Sequence, residues 1–116
     1  MMPKPKNVRR SQKQEKRIAK EMHGRTRPAS GALPTAKGDV VTERFDLLVE
    51  AKLTEQTGYR VTRQTIRKIK NEALKGGKNW LLQLDFINEP DAHRLAILDY
   101  DVFLMMLEEL HGTDKK

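Results

Sequence analysis

Phe45-Asp46-Leu47-Leu48-Val49-Glu50-Ala51-Lys52-Leu53 is the stretch whose reading decides the fold. Three consecutive apolar residues, Leu47 to Val49, fit a strand covered on both faces. Side chains two apart on a strand point the same way, about 7 Å apart. Glu50 and Lys52 therefore project from one face at the end of an otherwise apolar strand. Burying both charges is costly unless each finds a partner.

Upstream, Asp39 to Val41 read as a short strand and Thr42 to Arg44 as a turn. Asp39 can then meet Glu50 across the sheet, which gives two carboxylates for one hard cation. Asp46 competes by sharing the parity of Glu50, but at four residues it lies about 13 Å along the strand, too far for joint coordination. Residues 24–38 form a loop rich in Gly, Pro, Thr and Ser. Met1 to Arg10, with two prolines and four basic residues, reads as a flexible arm, and 112–116 as a tail. Ser11-Gln12-Lys13-Gln14 is a capping-box pattern predicting a helix to Met22 or His23, with Gly24 placed to end it. Its apolar stripe is Ile18, Ala19 and Met22, and Glu15 falls on the same stripe. A carboxylate on the buried side of a basic helix is either paired with a cation or present for chemistry.

Downstream, Gly58 to Val61 are expected to form a third short strand. Thr62 caps a second helix with Ile66, Ile69, Ala73 and Leu74 facing the core, ended by Gly76-Gly77. Trp80, Leu82, Leu84 and Phe86 alternate with Leu81, Gln83 and Asp85, the pattern of a half-buried strand. Arg94 to Tyr100 pair back as another strand, and Asp101 caps a last helix bearing Val102, Phe103, Met106, Leu107 and Leu110. The expected order is α-β-β-β-α-β with a β-α extension, in one domain over 11–111.

The chain has 116 residues, 37% hydrophobic and 34% charged, with a net charge of +7 and no cysteine. Thiolate metal sites and disulfides are excluded, so a metal must sit on oxygen or histidine ligands. No apolar run approaches the ~20 residues of a membrane span, and Met1 to Arg10 lacks the apolar core of a secretory signal. A cytoplasmic setting is expected. The charge is segregated: residues 1–30 carry a net +8 and 60–78 a net +6, while 79–116 carry a net −5. Two basic blocks point to a polyanion partner. The alternative is a charge serving solubility plus a disordered basic tail. Aromatic residues are only 5% of the chain, which gives little support to base stacking on single strands.

Glu15, Lys37-Gly38-Asp39-Val40 after a Gly-rich loop with Ser30-Gly31-Ala32, Leu48-Val49-Glu50-Ala51-Lys52, then Lys68-Ile69 and Glu72-Ala73 stand in the order of a known family. The chain resembles the PD-(D/E)xK nuclease superfamily, and within it the small Holliday junction resolvases and phage endonucleases. The resemblance covers residues 11–86. Gly38 stands where the motif has its proline, a change that resolvase-like members tolerate. The resemblance implies a restriction-endonuclease-like αβββαβ core, a mixed sheet flanked by helices, with the C-terminal strand and helix added. It implies that Asp39, Glu50 and the Ala51 carbonyl bind Mg2+ or Mn2+, that Lys52 serves the nucleophilic water, and that Glu15 completes or buttresses the site. Arg9, Arg10, Arg25, Arg27, Ser30, Arg63, Gln64 and Arg67 are the expected DNA-contacting residues, the match at Gln64 being loose. The expected activity is hydrolysis of phosphodiester bonds in branched DNA, such as a four-way junction, by a homodimer of prokaryotic or phage origin.

Each reading has a simpler counterpart. Glu50 with Lys52 can be a solvated ion pair at a strand end, and Glu15 can be bridged to an arginine. Ser30 can be a turn former, and Arg63, Arg67 and Lys70 a solvated helix face. His23 reads as a helix-end residue, while His93 and His111 show no ligand spacing. Met105, Met106 and Leu107 read as core, or as the closure of a dimer. The function alternatives are a nuclease of the same fold used in restriction, repair or phage DNA processing, and a non-catalytic DNA-binding protein.

Overall fold

The computed structural model describes residues 6–27, 39–88, 90 and 92–112, with side chains from residue 9. The elements follow the order α1 (Lys6–Glu21), β1 (Arg25–Thr26), β2 (Val40–Thr42), a 3-10 turn (Arg44–Asp46), β3 (Leu47–Thr54), α2 (Arg63–Lys75), β4 (Asn79–Phe86), β5 (His93–Leu98) and α3 (Tyr100–Gly112). The five strands form one mixed sheet in the order β1-β2-β3-β4-β5. Only β3 and β4 run parallel, joined through α2; the other three pairings are antiparallel. The protein is therefore an α/β fold built on a five-stranded mixed sheet with three helices.

Leu47, Leu48 and Val49 are all buried, as their apolar run requires. Leu47 and Val49 pack with Ile18 and Ala19 of α1, Val40 and Leu81. Leu48 turns to the other face, where Val41, Trp80 and Leu82 meet Ile69 and Ala73 of α2. Ile18, Val40, Val49 and Leu82 are the largest of the fully buried side chains. Each contributes about 1.5–3 kcal/mol relative to exposure. Thr62 caps α2, its Oγ1 accepting from Thr65 N at 3.1 Å. The helix ends at Gly76, and Gly77 takes the left-handed φ of 66° that a side chain disfavours.

Several elements differ from expectation. Helix α1 begins at Lys6, so Lys6 to Arg10 belong to the helix rather than to an arm, and Ser11 lies inside it. Residues 1–5 and 113–116 lie outside the described residues. At the other end of α1 the left-handed residue is His23, with φ 55°. Gly24 is needed for proximity instead: a Cβ there would come within 2.4 Å of the Val41 carbonyl oxygen. That contact lets Arg25–Thr26 pair with β2 as a short strand inside what reads as a loop.

Gly58 to Val61 form no strand, because β2 and β4 already occupy both edges of β3. Strand β3 starts at Leu47 rather than Phe45, since Phe45 and Asp46 adopt φ of 59° and 49° in the turn. Strand β4 is buried on both faces, not half-buried, because α1 covers the side of Leu81 and α2 the side of Trp80 and Leu82. Leu74 is exposed, whereas Ile66, Ile69 and Ala73 face inward as expected. No helix among the described residues is long and apolar enough to cross a membrane.

Candidate active site

The register of β2 against β3 sets Val40 opposite Val49 and Val41 opposite Leu48. One residue further, Asp39 N donates to Val49 O at 2.9 Å, which brings Asp39 level with Glu50. The Asp39 backbone is fixed on its other side too, its carbonyl accepting from Arg27 N at 3.0 Å. Its side chain reaches over β3, where Oδ2 accepts from Ala51 N at 2.6 Å. In extended backbone the N–H and C=O of one residue point to the same side, so the Ala51 carbonyl also faces the Asp39 side.

Glu50 and Lys52 share a face, as their spacing requires, and Lys52 Nζ lies 3.4 Å from Glu50 Oε1. Glu50 is mostly buried, Lys52 half in solvent. A wholly solvated strand-end pair is not what forms, because the carboxylate has lost most of its water.

Three carboxylates share this end of the sheet. Burial pushes the Glu50 pKa up, the nearby Asp39 charge pushes it further, and Lys52 and then Lys68 oppose the rise. Burial also raises the pKa of Asp39 against the pull of the Ala51 N–H and of Lys52. Glu15 is raised by burial first, then by Asp39 and by Glu50. Among the described residues Glu15 has no ion-pair partner. The alternative reading, a bridge to an arginine, is not seen among the described residues; what Glu15 meets is more negative charge. Desolvated, mutually repelling carboxylates, offset in part by Lys52, Lys68 and the Ala51 N–H, concentrate negative charge at this end of the sheet.

Among the described residues, no group of three or more His, Cys, Asp or Glu side chains is arranged to hold a metal ion by itself. The close donors are Asp39, Glu50 and the Ala51 carbonyl. That set fits a hard cation of the magnesium kind, which binds through one or two carboxylates and keeps several waters or substrate oxygens. It does not fit an all-protein cage.

Below the site lies a buried polar layer with no sequence forecast. Gln14 Nε2 donates to the Lys52 carbonyl at 2.7 Å and to Gln83 Oε1 at 3.0 Å. Gln83 Nε2 donates to Asp85 Oδ1 at 2.6 Å. Arg94 approaches the same Asp85 oxygen at 3.6 Å and clamps Glu21 with two bonds of 2.7 and 2.8 Å. Gln14 thus ties α1 to the backbone of the residue carrying the site's amine, one position before Glu15. The signal was its i, i+4 and i, i+8 spacing to Ile18 and Met22. Lys68 was the other residue passed over: it lies one turn after Gln64, and its charge acts on Glu50.

The expected DNA contacts are dispersed. Arg9 is exposed on α1, and Arg10 is paired there with Glu55. Arg25 lies 3.9 Å from Glu43, and Arg27 adjoins Asp39 through its backbone. Arg63 and Arg67 line one groove of about 630 Å³ with Lys70 and Ile66 on α2. Gln64 is exposed on that helix, and Ser30 lies outside the described residues. Asp46 is in the turn at the far end of β3, 3.8 Å from Lys78, and so never shares the strand with Glu50.

Comparison with known proteins returned nothing: no family model, curated protein or solved structure matches the chain.

Proposed function

We propose that this protein is a divalent-metal-dependent endonuclease of the PD-(D/E)xK type that hydrolyses phosphodiester bonds in branched DNA, as a Holliday junction resolvase does. The observation that carries the reading is Asp39 level with Glu50 across β2 and β3, with Lys52 Nζ 3.4 Å from Glu50 on the same face. The αβββαβ element order and the coupling of Glu15 to both carboxylates support it.

Asp39, Glu50 and the Ala51 carbonyl would hold Mg2+ or Mn2+. When bound, such an ion draws charge from phosphate oxygens and eases deprotonation of water. Asp39 is held for this role by its bond from Ala51 N, which fixes one carboxylate oxygen; the other has no hydrogen-bond partner among the described residues. Lys52, as an ammonium paired with Glu50, orients the attacking water and offsets the charge that develops on the phosphate oxygens, and that pairing limits the positions its amine can take. Glu15 adds charge that favours the cation. Lys68 and the groove of Arg63, Arg67 and Lys70 offer cations to the DNA backbone, whose contacts position the duplex without reading its bases. Resolving a four-way junction takes two symmetric cuts, so the assignment asks for a homodimer.

Incubation with labelled four-way junctions, linear duplex and single strands in magnesium tests the reading. Paired symmetric cuts in the junction are expected, and Glu50→Gln is expected to abolish cutting while junctions still bind. Preference for linear duplex would replace the resolvase with another nuclease of the same chemistry. Binding of DNA with no cutting in magnesium or manganese would leave a DNA-binding protein only.

A further inference from the structure

Helix α3 lacks a home in its own chain. None of its residues is buried. It touches the sheet layer through Met106, which packs against the cluster of Ile18, Val49 and Leu81, with Val102 half-buried beside it. Adjoining these and extending round the helix to its exposed side, Tyr100, Phe103, Leu104, Leu107 and Leu110 recur at helical spacing and make a second apolar stripe. Their exposure runs from 41% at Phe103 to 71% at Tyr100. The rings of Tyr100 and Phe103 lie 6.2 Å apart, so the stripe is continuous at that end. At roughly 200 Å² per large side chain the stripe leaves roughly 500 Å² of apolar surface in water. That is near the upper end of what a monomer shows in one patch, about 300–600 Å². It is also more than half of the roughly 800 Å² that each partner gives to a standard interface.

The charge on α3 narrows the occupant. In a chain of net charge +7, this helix has no lysine or arginine and carries Asp101, Glu108 and Glu109. A polyanion and an anionic lipid surface are both repelled. Beside the helix a groove of about 590 Å³ has Phe45, Met105 and Leu110 on its walls, with Arg44 and Glu109 at its rim. Among the described residues Arg44 pairs with no carboxylate, its guanidinium lying 6.0 Å from the Phe45 ring, and Glu109 pairs with no cation. A patch that carries a cation and an anion unpaired among the described residues, together with an apolar stripe, is complementary to itself, as an interface between identical subunits must be.

We propose that the outward stripe of α3, with the adjoining Arg44–Glu109 groove, is the surface through which two copies of this chain pair. The interface rests on the helix and its charges, not on the nuclease chemistry. If both hold, it supplies the second active site that paired cuts require, and it keeps the acidic helix away from DNA.

Sedimentation velocity of the full chain across the micromolar range reads the state directly. The expected species has the mass of two chains. Leu107→Asp and Leu104→Asp, both on the exposed stripe, are expected to weaken pairing on the order of 100-fold, with the far-UV circular dichroism unchanged. Because the chain contains no cysteine, Leu107→Cys gives a single thiol, and mild oxidation is expected to link two copies. A one-chain species throughout overturns the proposal, whatever else the stripe then covers. So does a two-chain species that survives both aspartate variants. DNA cutting is not read in this experiment: a dimer that cuts nothing leaves the interface standing, and a monomer that cuts leaves the nuclease standing.

Discussion

Asp39→Asn separates the demand for positive charge at the site from the demands of folding. Asn can still accept the Ala51 N–H bond that the carboxylate accepts at 2.6 Å, so the geometry of β2 against β3 survives. What disappears is a buried negative charge level with Glu50 and coupled to Glu15. The folded pKa of Asp39 lies above its ordinary 3.8. Below that ordinary value the group is protonated whether folded or not, and it contributes no penalty. As pH rises through the raised folded value, the unfolded chain ionises more readily than the folded one, and stability is lost. Removing the charge should therefore leave stability unchanged at the acid end and raise it at neutral pH. Because the group is partly solvated and Lys52 attraction is lost with the charge, the gain is expected to stay within about 1 kcal/mol, the scale of a single partly screened charge interaction. For a chain of this length that is a rise in Tm of up to about 4 °C. Thermal unfolding in EDTA at several pH values measures it. In magnesium the order should reverse: wild type gains stability from the bound cation and Asp39→Asn gains little. Equal destabilisation of the variant at every pH in EDTA would refute the charge argument, and an undiminished magnesium effect would remove Asp39 from the site.

Other perturbations probe the supports of the site. Gln14→Leu leaves the Lys52 carbonyl and Gln83 Oε1 without their shared donor; a loss of about 2–3 kcal/mol is expected, read from the urea midpoint. Gly24→Ala drives a methyl to 2.4 Å from Val41 O, a backbone atom that cannot swing aside. It should cost about 1–3 kcal/mol, and an unchanged Tm would mean that β1 does not approach β2 this closely. Arg63→Ala and Arg67→Ala, both exposed, should leave Tm unchanged. Each should flatten the plot of log affinity for DNA against log salt by about one unit of slope, and an unaltered slope would take that groove out of the DNA path.

The parts of the fold legible in sequence were those set by local rules. Leu47 to Val49 read as doubly covered because three apolar residues in a row cannot alternate, and Thr62 read as a cap because its hydroxyl precedes a helical stripe. Parity failed where polarity was satisfied out of sight. Gln83 and Asp85 looked like the wet side of β4, yet α1 covers that side and brings Gln14 to bond with Gln83. The third strand was expected at 58–61 because the segment looks extended. The sheet instead takes Arg25–Thr26, which a close approach at Gly24 admits and which no periodicity of two residues could announce.

The candidate site shows the same division. Glu50 and Lys52 share a face by the strand's period alone, and Asp39 joins them because its hydrogen bond to Val49 O extends the ladder one residue. Asp46 was set aside for distance along a strand, whereas its actual separation comes from a left-handed turn that the strand never includes. The outcome agrees and the reason differs. Glu15 was harder, since a helical stripe tells only that a residue faces inward, not what it faces. The sheet puts α1 across β2 and β3, and only that crossing turns an inward carboxylate into a third charge on the pair. Such a cluster opposes folding to the extent that Lys52, Lys68 and the Ala51 N–H leave its charge uncompensated, and under the proposed function a divalent cation would supply the rest. The magnesium dependence of Tm in wild type, set against Asp39→Asn, tests for such a contribution before any DNA is added: a rise in wild type alone is expected, and no rise in either would remove the cation from the proposal.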